Sequence, residues 1–330
     1  IVYFFVNNRD IGNLNRLTAS CSGRETRNID LYLYVIYGNF IDTANRYTEG
    51  SSEKFVGEFI ESDRDHWVLS TKFSLKDRND DLNFSGNHRK NLMRSVTESL
   101  KRMNTEYIDL LWLHLWDNTT PAEEVMRGLD DLVTRGLVHH IGISDSRAWI
   151  VSQANTIADF RGWNAFAAIQ FEYSLLQRTP ERDLLPMAKA LNLAVTPWGA
   201  MGGGALTGKY LRGEGGRVPD DSSRRNERST EISKTVVDIA SKLGVTPAQV
   251  AINWTRQRDQ IMIPIIGASK AHQLEDSLSS LKFVLPEEMM DQLNEVSQIE
   301  LGFPHEFLKS DGVKDQAFSG MYDLLDNHTI

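Results

Sequence analysis

Residues 91–136 read NLMRSVTESLKRMNTEYIDLLWLHLWDNTTPAEEVMRGLDDLVTRG and place a short apolar run between two segments with helical spacing. The run is YIDLLWLH (107–114), which has the length of a strand rather than of a helix. In the segment after it, Val125, Leu129 and Leu132 recur every three or four residues, as one buried helix face requires. The stretch therefore predicts helix, strand and helix in succession.

The same alternation extends in both directions along the chain. Further apolar runs are NFIDTA (39–44), WVLSTKF (67–73), VHHIGIS (138–144), AFAAIQF (165–171), LAVTPW (193–198) and IMIPIIG (261–267). Further helical segments are SSEKFVGEFI (51–60), DLLPMAKALN (183–192) and PAQVAINWTRQ (247–257). Strands that alternate with helices predict a parallel sheet with right-handed crossovers.

The number of strands favours a closed barrel over an open sheet. Seven strands are readable, and an eighth near Arg16 to Ser20, followed by a helix over residues 25–37, would complete a (β/α)8 TIM barrel. The alternative is a doubly wound open sheet, which usually carries a Gly-rich turn after its first strand, and GxGxxG is absent from the sequence. We therefore expect one barrel domain over residues 1–330.

Composition and charge exclude several classes of function. The chain has 41% hydrophobic and 25% charged residues, as an ordinary globular protein does. Its net charge of −9 argues against general binding to nucleic acid or anionic membranes. No run reaches the roughly 18 to 20 apolar residues of a membrane span, and the short opening IVYFFV does not resemble a signal peptide. A single cysteine, Cys21, suits a reducing compartment and predicts a cytoplasmic location.

Four ionisable side chains are predicted to meet at one end of the barrel. Asp42, Lys72 and His114 each end a predicted strand, and Tyr47 lies in the loop after the first of these strands. The C-terminal ends of barrel strands converge on one mouth. Taken singly, each residue also has an ordinary structural explanation, as a cap, a packing residue or a core histidine. Lys72 is the exception, because an ammonium at the end of a buried strand requires a partner, for which Asp42 is suited.

Together these residues could form a proton-donating site. A lysine beside a tyrosine stabilises the phenolate, so we expect Lys72 to lower the pKa of Tyr47 from about 10 towards neutral pH. Asp42 would hold the lysine charged and in place. A neutral His114 imidazole could orient and polarise a carbonyl oxygen. The site would protonate an oxygen as negative charge develops on it.

The motifs DTANRY (42–47), STK (70–72) and LLWLH (110–114) resemble those of the aldo-keto reductase family, and the likeness extends from about residue 38 to residue 281. It implies a (β/α)8 barrel and NAD(P)H-dependent reduction of a small carbonyl substrate, with Tyr47 giving the proton and Trp116 lining the substrate pocket. A second interpretation, from another class, is a regulatory NADP(H)-binding subunit similar to potassium-channel β-subunits. The oligomeric state is not indicated.

The resemblance also implies a set of cofactor-binding positions. Ser144 and Gln170 match residues that bind the nicotinamide carboxamide, and Trp198 matches the aromatic residue that stacks on its ring. The long segment 199–229 would lie on the cofactor side. The remaining positions are Gly202, Gly204, Leu206 and Lys209 near the pyrophosphate, Gly267, Ser269, Lys270 and Gln273 near an adenosine 2′-phosphate, and Asp276 near the adenine. Lys270 favours NADPH over NADH, because a cation gains little there without a phosphate partner.

Some features depart from the family pattern or lie outside it. Asp145 stands where the family usually has Asn, and residues 1–37 match the family pattern poorly. On their own, Gly202 to Gly204 could be a phosphate cradle or a flexible loop. The RRNER cluster (224–228) is interpreted as a solvated loop rather than a binding patch, although the resemblance implies that this region can border the cofactor cleft. Neighbouring residues in a strand point to opposite faces, so His139 and His140 cannot share a metal, and none is expected.

Overall fold

The computed structural model of the chain describes residues 3–5, 38–216, 218–219, 221–268 and 270–326, with residues 3–5 as backbone only. The predicted strand near Arg16 to Ser20, the predicted helix over residues 25–37, Cys21 and Ser269 all lie outside these residues.

The strands and helices of the described residues follow the predicted alternation from residue 38 onwards. The strands are β1 (Tyr3–Phe5), β2 (Phe40–Asp42), β3 (Val68–Phe73), β4 (Ile108–Leu113), β5 (Val138–Ser144), β6 (Ala168–Gln170), β7 (Ala194–Val195) and β8 (Ile266–Gly267). The α-helices are α1 (Ser51–Ile60), α2 (Arg89–Met103), α3 (Ala122–Thr134), α4 (Ala148–Arg161), α5 (Leu184–Ala190), α6 (Glu227–Leu243), α7 (Pro247–Arg256), α8 (Ala271–Leu278), α9 (Glu287–Val296), α10 (His305–Lys309) and α11 (Asp311–Phe318).

The strands form a curled sheet that closes on itself. Strands β2 to β7 are parallel and pair in chain order. A parallel bridge between Val195 and Met262 joins β7 to the segment just before β8, and β1 pairs with both β8 and β2. The predicted α/β barrel is confirmed. One difference is that the strand between β8 and β2 is Tyr3–Phe5, which runs antiparallel to both neighbours. A short apolar run does not reveal its own direction.

Six α-helices of the described residues were not recognised from the sequence, namely α4, α6, α8, α9, α10 and α11, and two of them lie inside the barrel alternation. Helix α4 buries Val151, Ala154 and Ala158 but leaves Trp149 and Phe160 exposed, so apolar residues lie on both faces and blur the helical pattern. Helix α6 begins inside the predicted irregular segment. Its cap is Asn226, whose side chain accepts a 2.8 Å hydrogen bond from the backbone amide of Ser229.

Backbone hydrogen bonds continue past the ends of β2, β3 and β4. The amide of Asn45 donates to the carbonyl of Lys72 at 3.1 Å, and the amide of His114 donates to the carbonyl of Phe73 at 3.0 Å. The chain that carries Tyr47 and His114 is therefore anchored to the neighbouring strand at this mouth of the barrel. It is the mouth at which barrel proteins carry their active sites.

Candidate active site

A fully buried ion pair lies at the base of the candidate site. The Lys72 ammonium donates to the Asp42 carboxylate from the neighbouring strand, and neither side chain is exposed to solvent. Lys72 also donates to the carbonyl of Thr43 at 2.9 Å, while the Ser70 hydroxyl donates to Asp42 at 2.6 Å. The lysine is thereby fixed 4.8 Å from the centre of the Tyr47 ring. Asp42 is tolerated in the core because its charge is paired and its oxygens accept hydrogen bonds.

Tyr47 begins a tight turn that places it above the ion pair. Its amide donates to the carbonyl of Ala44 at 3.1 Å, and the next residues, Thr48, Glu49 and Gly50, have φ values of 47°, 57° and 85°. Left-handed backbone costs non-glycine residues about 1–2 kcal/mol each, so the turn is held by its surroundings. At Gly50 an added Cβ would lie 2.9 Å from the Arg102 side chain.

His114 completes the cluster. Its ring meets that of Tyr47 edge to face, with the ring centres 5.9 Å apart. Burial, with the nearby charge of Lys72, lowers the pKa of His114 to about 3, so the imidazole is neutral at physiological pH. The Nδ1 atom is buried and has no hydrogen-bond partner among the described residues. The structure thus brings together the four side chains that the sequence singled out.

The prediction that Lys72 lowers the pKa of Tyr47 is wrong. Burial raises the pKa of Tyr47, and the carboxylates of Asp42 and Asp145 raise it further. The reason is that burial and the two carboxylates outweigh the attraction of Lys72 for the phenolate, an attraction that Asp42 partly offsets. Tyr47 therefore keeps its proton at neutral pH, which is the state that a proton donor needs.

A cavity of about 890 Å³ runs from Tyr47 and His114 to helix α8. Its size, and a lining that extends from the strand ends to α8, suit an extended ligand such as a dinucleotide. Its lining includes these residues from the predicted set: Ser144, Gln170, Trp198, Gly204, Lys209, Gly267, Gln273 and Asp276. Several other lining residues were not among the predicted positions, such as Met201, Thr207, Arg212, Val218 and His272.

Other predicted positions do not line this cavity. The side chain of Leu206 is fully buried in the hydrophobic core, because the turn over Gly202–Thr207 directs it inward, and Gly202 is buried beside Leu176. Lys270 is exposed at the cap of α8 and is not among the lining residues. Trp116 lines a neighbouring, smaller cavity instead. Asp276 does line the large cavity, but its carboxylate accepts hydrogen bonds from Thr246 and Gln249 at the start of α7.

The glycine-rich loop is a defined turn. Gly202, Gly203 and Gly204 have φ values of 59°, 67° and 96°, a succession that glycine adopts without strain. The amides of Gly202 and Gly204 already donate to the carbonyls of Gly199 and Met201, at 2.7 and 2.9 Å. An added Cβ on Gly204 would lie 2.7 Å from the Lys209 ammonium. A ligand could therefore approach the backbone of this loop closely and would find a cation nearby. Two of the loop's amide donors are already used within the turn.

Two polar contacts that the sequence did not reveal fix the wall of the cavity. The Trp198 indole donates to the Asp145 carboxylate at 3.2 Å. Arg224 forms an ion pair with Glu172. This glutamate lies two residues past the end of β6 and forms a parallel bridge with Trp198. The RRNER cluster was interpreted as a solvated loop, and this is wrong for Arg224 and also for Arg228, which donates to the carbonyl of Ser297 at 2.7 Å.

The polar atoms left without partners indicate what the cavity can hold. Within the described residues, Gln170 Nε2 and His114 Nδ1 are buried without a hydrogen-bond partner, and both residues line the cavity. A buried polar group costs free energy unless a partner meets it. A ligand with amide and carbonyl groups, as a nicotinamide has, fits this end. The described residues contain no group of three metal-ligating side chains.

Comparison with known proteins decides the family. The sequence model described as "Aldo/keto reductase family" matches residues 23–298. The chain belongs to the aldo/keto reductase family. As a member it is an oxidoreductase that carries out NAD(P)H-dependent carbonyl reduction, as predicted.

Relatives of this aldo/keto reductase carry names of the same chemistry. The present chain is 34% identical over 320 residues to norsolorinic acid reductase B of Dothistroma septosporum, and the match covers 93% of this chain and 81% of the relative. It is 36% identical over 287 residues to the aryl-alcohol dehydrogenase [NADP(+)] of Phanerodontia chrysosporium, covering 81% and 74% of the two chains. Neither name supports the alternative of a channel subunit. Across the described ranges, no helix of this reductase is both long and apolar enough to traverse a bilayer.

Proposed function

We propose that this aldo/keto reductase binds NADP(H) and interconverts aryl aldehydes or ketones with the corresponding alcohols, with Tyr47 as the proton donor. The observation that carries the proposal is the cluster of Tyr47, His114 and the Lys72–Asp42 pair at one end of the long cavity. The aryl substrate class is taken from the name of the Phanerodontia chrysosporium relative. The proposal includes one barrel domain. It also includes a cytoplasmic location, which is supported by the presence of a single cysteine in the sequence.

In this proposal the chain's own residues position the reactants and move one proton. The bound cofactor would supply hydride. Gln170 and Ser144 would hold its carboxamide, and Trp198, fixed by Asp145, would pack against its ring. The neutral His114 would donate a hydrogen bond to the substrate carbonyl oxygen, and Tyr47 would release its proton to that oxygen as negative charge grows there. Lys72 would stabilise the resulting phenolate, while Asp42 holds the lysine in place.

The test is the consumption of NADPH in the presence of a reactive aryl aldehyde. We expect the purified protein to quench NADPH fluorescence on binding, to oxidise NADPH when 4-nitrobenzaldehyde is added, and to bind NADPH more tightly than NADH. The preference rests on Lys209 and Arg212, which line the cavity, and on Lys270, which is exposed at the cap of α8 two residues before the lining residue His272. A 2′-phosphate pairs well with a cation.

The Lys270→Gln variant tests whether the Lys270 charge contributes to the preference for NADPH over NADH. The neutral side chain should weaken NADPH binding and leave NADH binding unchanged, with a loss of about fivefold to tenfold for one exposed charge-assisted contact. Dissociation constants from fluorescence titration at fixed ionic strength provide the measurement. Equal constants for NADH and NADPH in the wild-type protein would contradict the choice of NADP(H) but would leave carbonyl reduction intact.

Asp145 should shift the pH dependence of alcohol oxidation. In that direction the Tyr47 phenolate accepts the proton, so the rate rises as pH approaches the pKa of Tyr47 from below. The Asp145 carboxylate helps to raise that pKa, and Asp145→Asn removes its charge while its amide oxygen can still accept the Trp198 hydrogen bond. We expect the rise in kcat/KM for 4-nitrobenzyl alcohol to move to lower pH. A rise at the same or a higher pH would rule out this electrostatic role.

A further inference from the structure

A second cavity of about 440 Å³ adjoins the long one. Asp145 lines both cavities. Glu172 lines the smaller cavity and forms an ion pair with Arg224, which lines the larger one. Trp116, two residues after His114, lines the smaller cavity. A substrate whose carbonyl lies at Tyr47 and His114 would therefore extend towards this space.

One part of the wall of the smaller cavity is apolar. Trp116, Phe171 and Leu184 contribute to it. Phe171 is buried and packs in the hydrophobic core, and Trp116 packs against that core while remaining partly open. Aromatic and aliphatic walls of this kind favour a ring over a flexible polar chain.

The rest of the wall is polar and carries an excess of negative charge. Three carboxylates line it, those of Asp145, Glu172 and Asp183, whereas Arg147 is the one cation among the described lining residues. Since Glu172 is paired with Arg224, two carboxylates remain against one guanidinium, and Arg147 also donates to Asn118 at 2.8 Å. Carboxylates accept hydrogen bonds from hydroxyl groups and repel a carboxylate on a ligand.

We infer that the smaller cavity is a substrate subsite that accepts the far ring of an aromatic carbonyl compound, favours hydroxyl substituents on that ring and rejects carboxylates. The inference rests on the proposed function, because it needs the carbonyl at Tyr47. The hydroxyl would donate to Asp183 or Asp145 at the polar wall, while the ring packs against Trp116. The subsite thus gives the reductase a preference between neutral and anionic substrates that the catalytic cluster itself does not provide.

Naphthaldehydes with one varied substituent test the inference, because the second ring carries the substituent beyond the reacting carbonyl. We would measure kcat/KM at saturating NADPH for 2-naphthaldehyde and for its 6-hydroxy, 6-methoxy and 6-carboxy derivatives. We expect the 6-hydroxy compound to exceed the 6-carboxy compound by at least about tenfold, and the 6-methoxy compound to lie between them. Absence of turnover with 2-naphthaldehyde would count against the proposed function. Turnover of all four at similar kcat/KM would overturn the subsite alone.

Asp183→Asn and Asp159→Asn form a matched pair of variants. Both remove one exposed carboxylate, but Asp183 lines the smaller cavity and Asp159, on α4, lines neither cavity. Asp183→Asn should reduce the ratio of kcat/KM for the 6-hydroxy over the 6-carboxy compound by about threefold to fivefold, the effect of one partly screened charge. Asp159→Asn should leave the ratio as in the wild type. An equal change in both variants, or none in Asp183→Asn, would overturn the assignment.

Discussion

Tyr47→Phe is expected to reduce kcat/KM for 4-nitrobenzaldehyde by about 10²- to 10⁴-fold, the usual contribution of a positioned general acid. The substitution removes only the phenolic hydroxyl and leaves the ring that packs edge to face on His114. Binding of NADPH should be unchanged, because the cofactor contacts that we propose come from other strand ends and loops. Steady-state kinetics together with fluorescence titration separate the two effects.

Tyr322→Phe is a matched control for this result. Tyr322 lies in the C-terminal segment, is partly exposed and lines neither cavity, so loss of its hydroxyl should leave turnover as in the wild type. Wild-type activity in Tyr47→Phe would remove this tyrosine from the mechanism. Loss of NADPH binding along with turnover would show instead that the tyrosine supports the cofactor site.

Lys72→Met is expected to cost both stability and activity. Methionine fills much of the same volume, but it leaves the Asp42 carboxylate buried without its cation, and breaking a buried pair in this way costs about 3–5 kcal/mol. The free energy of unfolding from urea denaturation should fall by that amount. Turnover should fall as well, because nothing then stabilises the phenolate that Tyr47 becomes.

The double variant Asp42→Asn/Lys72→Met separates these two effects. It removes both charges, so most of the lost stability should return, since the introduced asparagine amide could still accept the hydrogen bond that Ser70 donates to Asp42. Turnover should stay low, because the lysine is absent. Recovery of turnover in the double variant would show that the pair serves stability alone.

The alternation of apolar runs and helical segments was enough to predict the barrel, because strands buried on both faces and helices buried on one face leave different patterns. Helix α4 was missed because Trp149 and Phe160 place apolar side chains on its outer face. The pairing of Tyr3–Phe5 could not be predicted, since a three-residue strand takes its direction from its neighbours, which lie more than 30 residues away along the chain.

For the candidate site, the sequence predicted which residues meet but not their electrostatics. The meeting of Asp42, Tyr47, Lys72 and His114 follows from their positions at strand ends. The pKa of Tyr47 cannot be predicted from these positions, because it depends on burial and on how completely the charge of Asp42 offsets that of Lys72. Long-range contacts such as that of Arg224 with Glu172 join residues 52 positions apart and leave no local pattern.

The central claim is that the Lys72 ammonium stabilises the Tyr47 phenolate through a hydrogen bond while Asp42 holds the lysine in place. A crystal structure of the NADPH complex would measure the distance between Lys72 Nζ and Tyr47 Oη directly. We predict a hydrogen bond of about 3 Å in an ordered site. A separation beyond about 5 Å, with both side chains well ordered, would contradict the account, because charge-assisted hydrogen bonding cannot act over that gap.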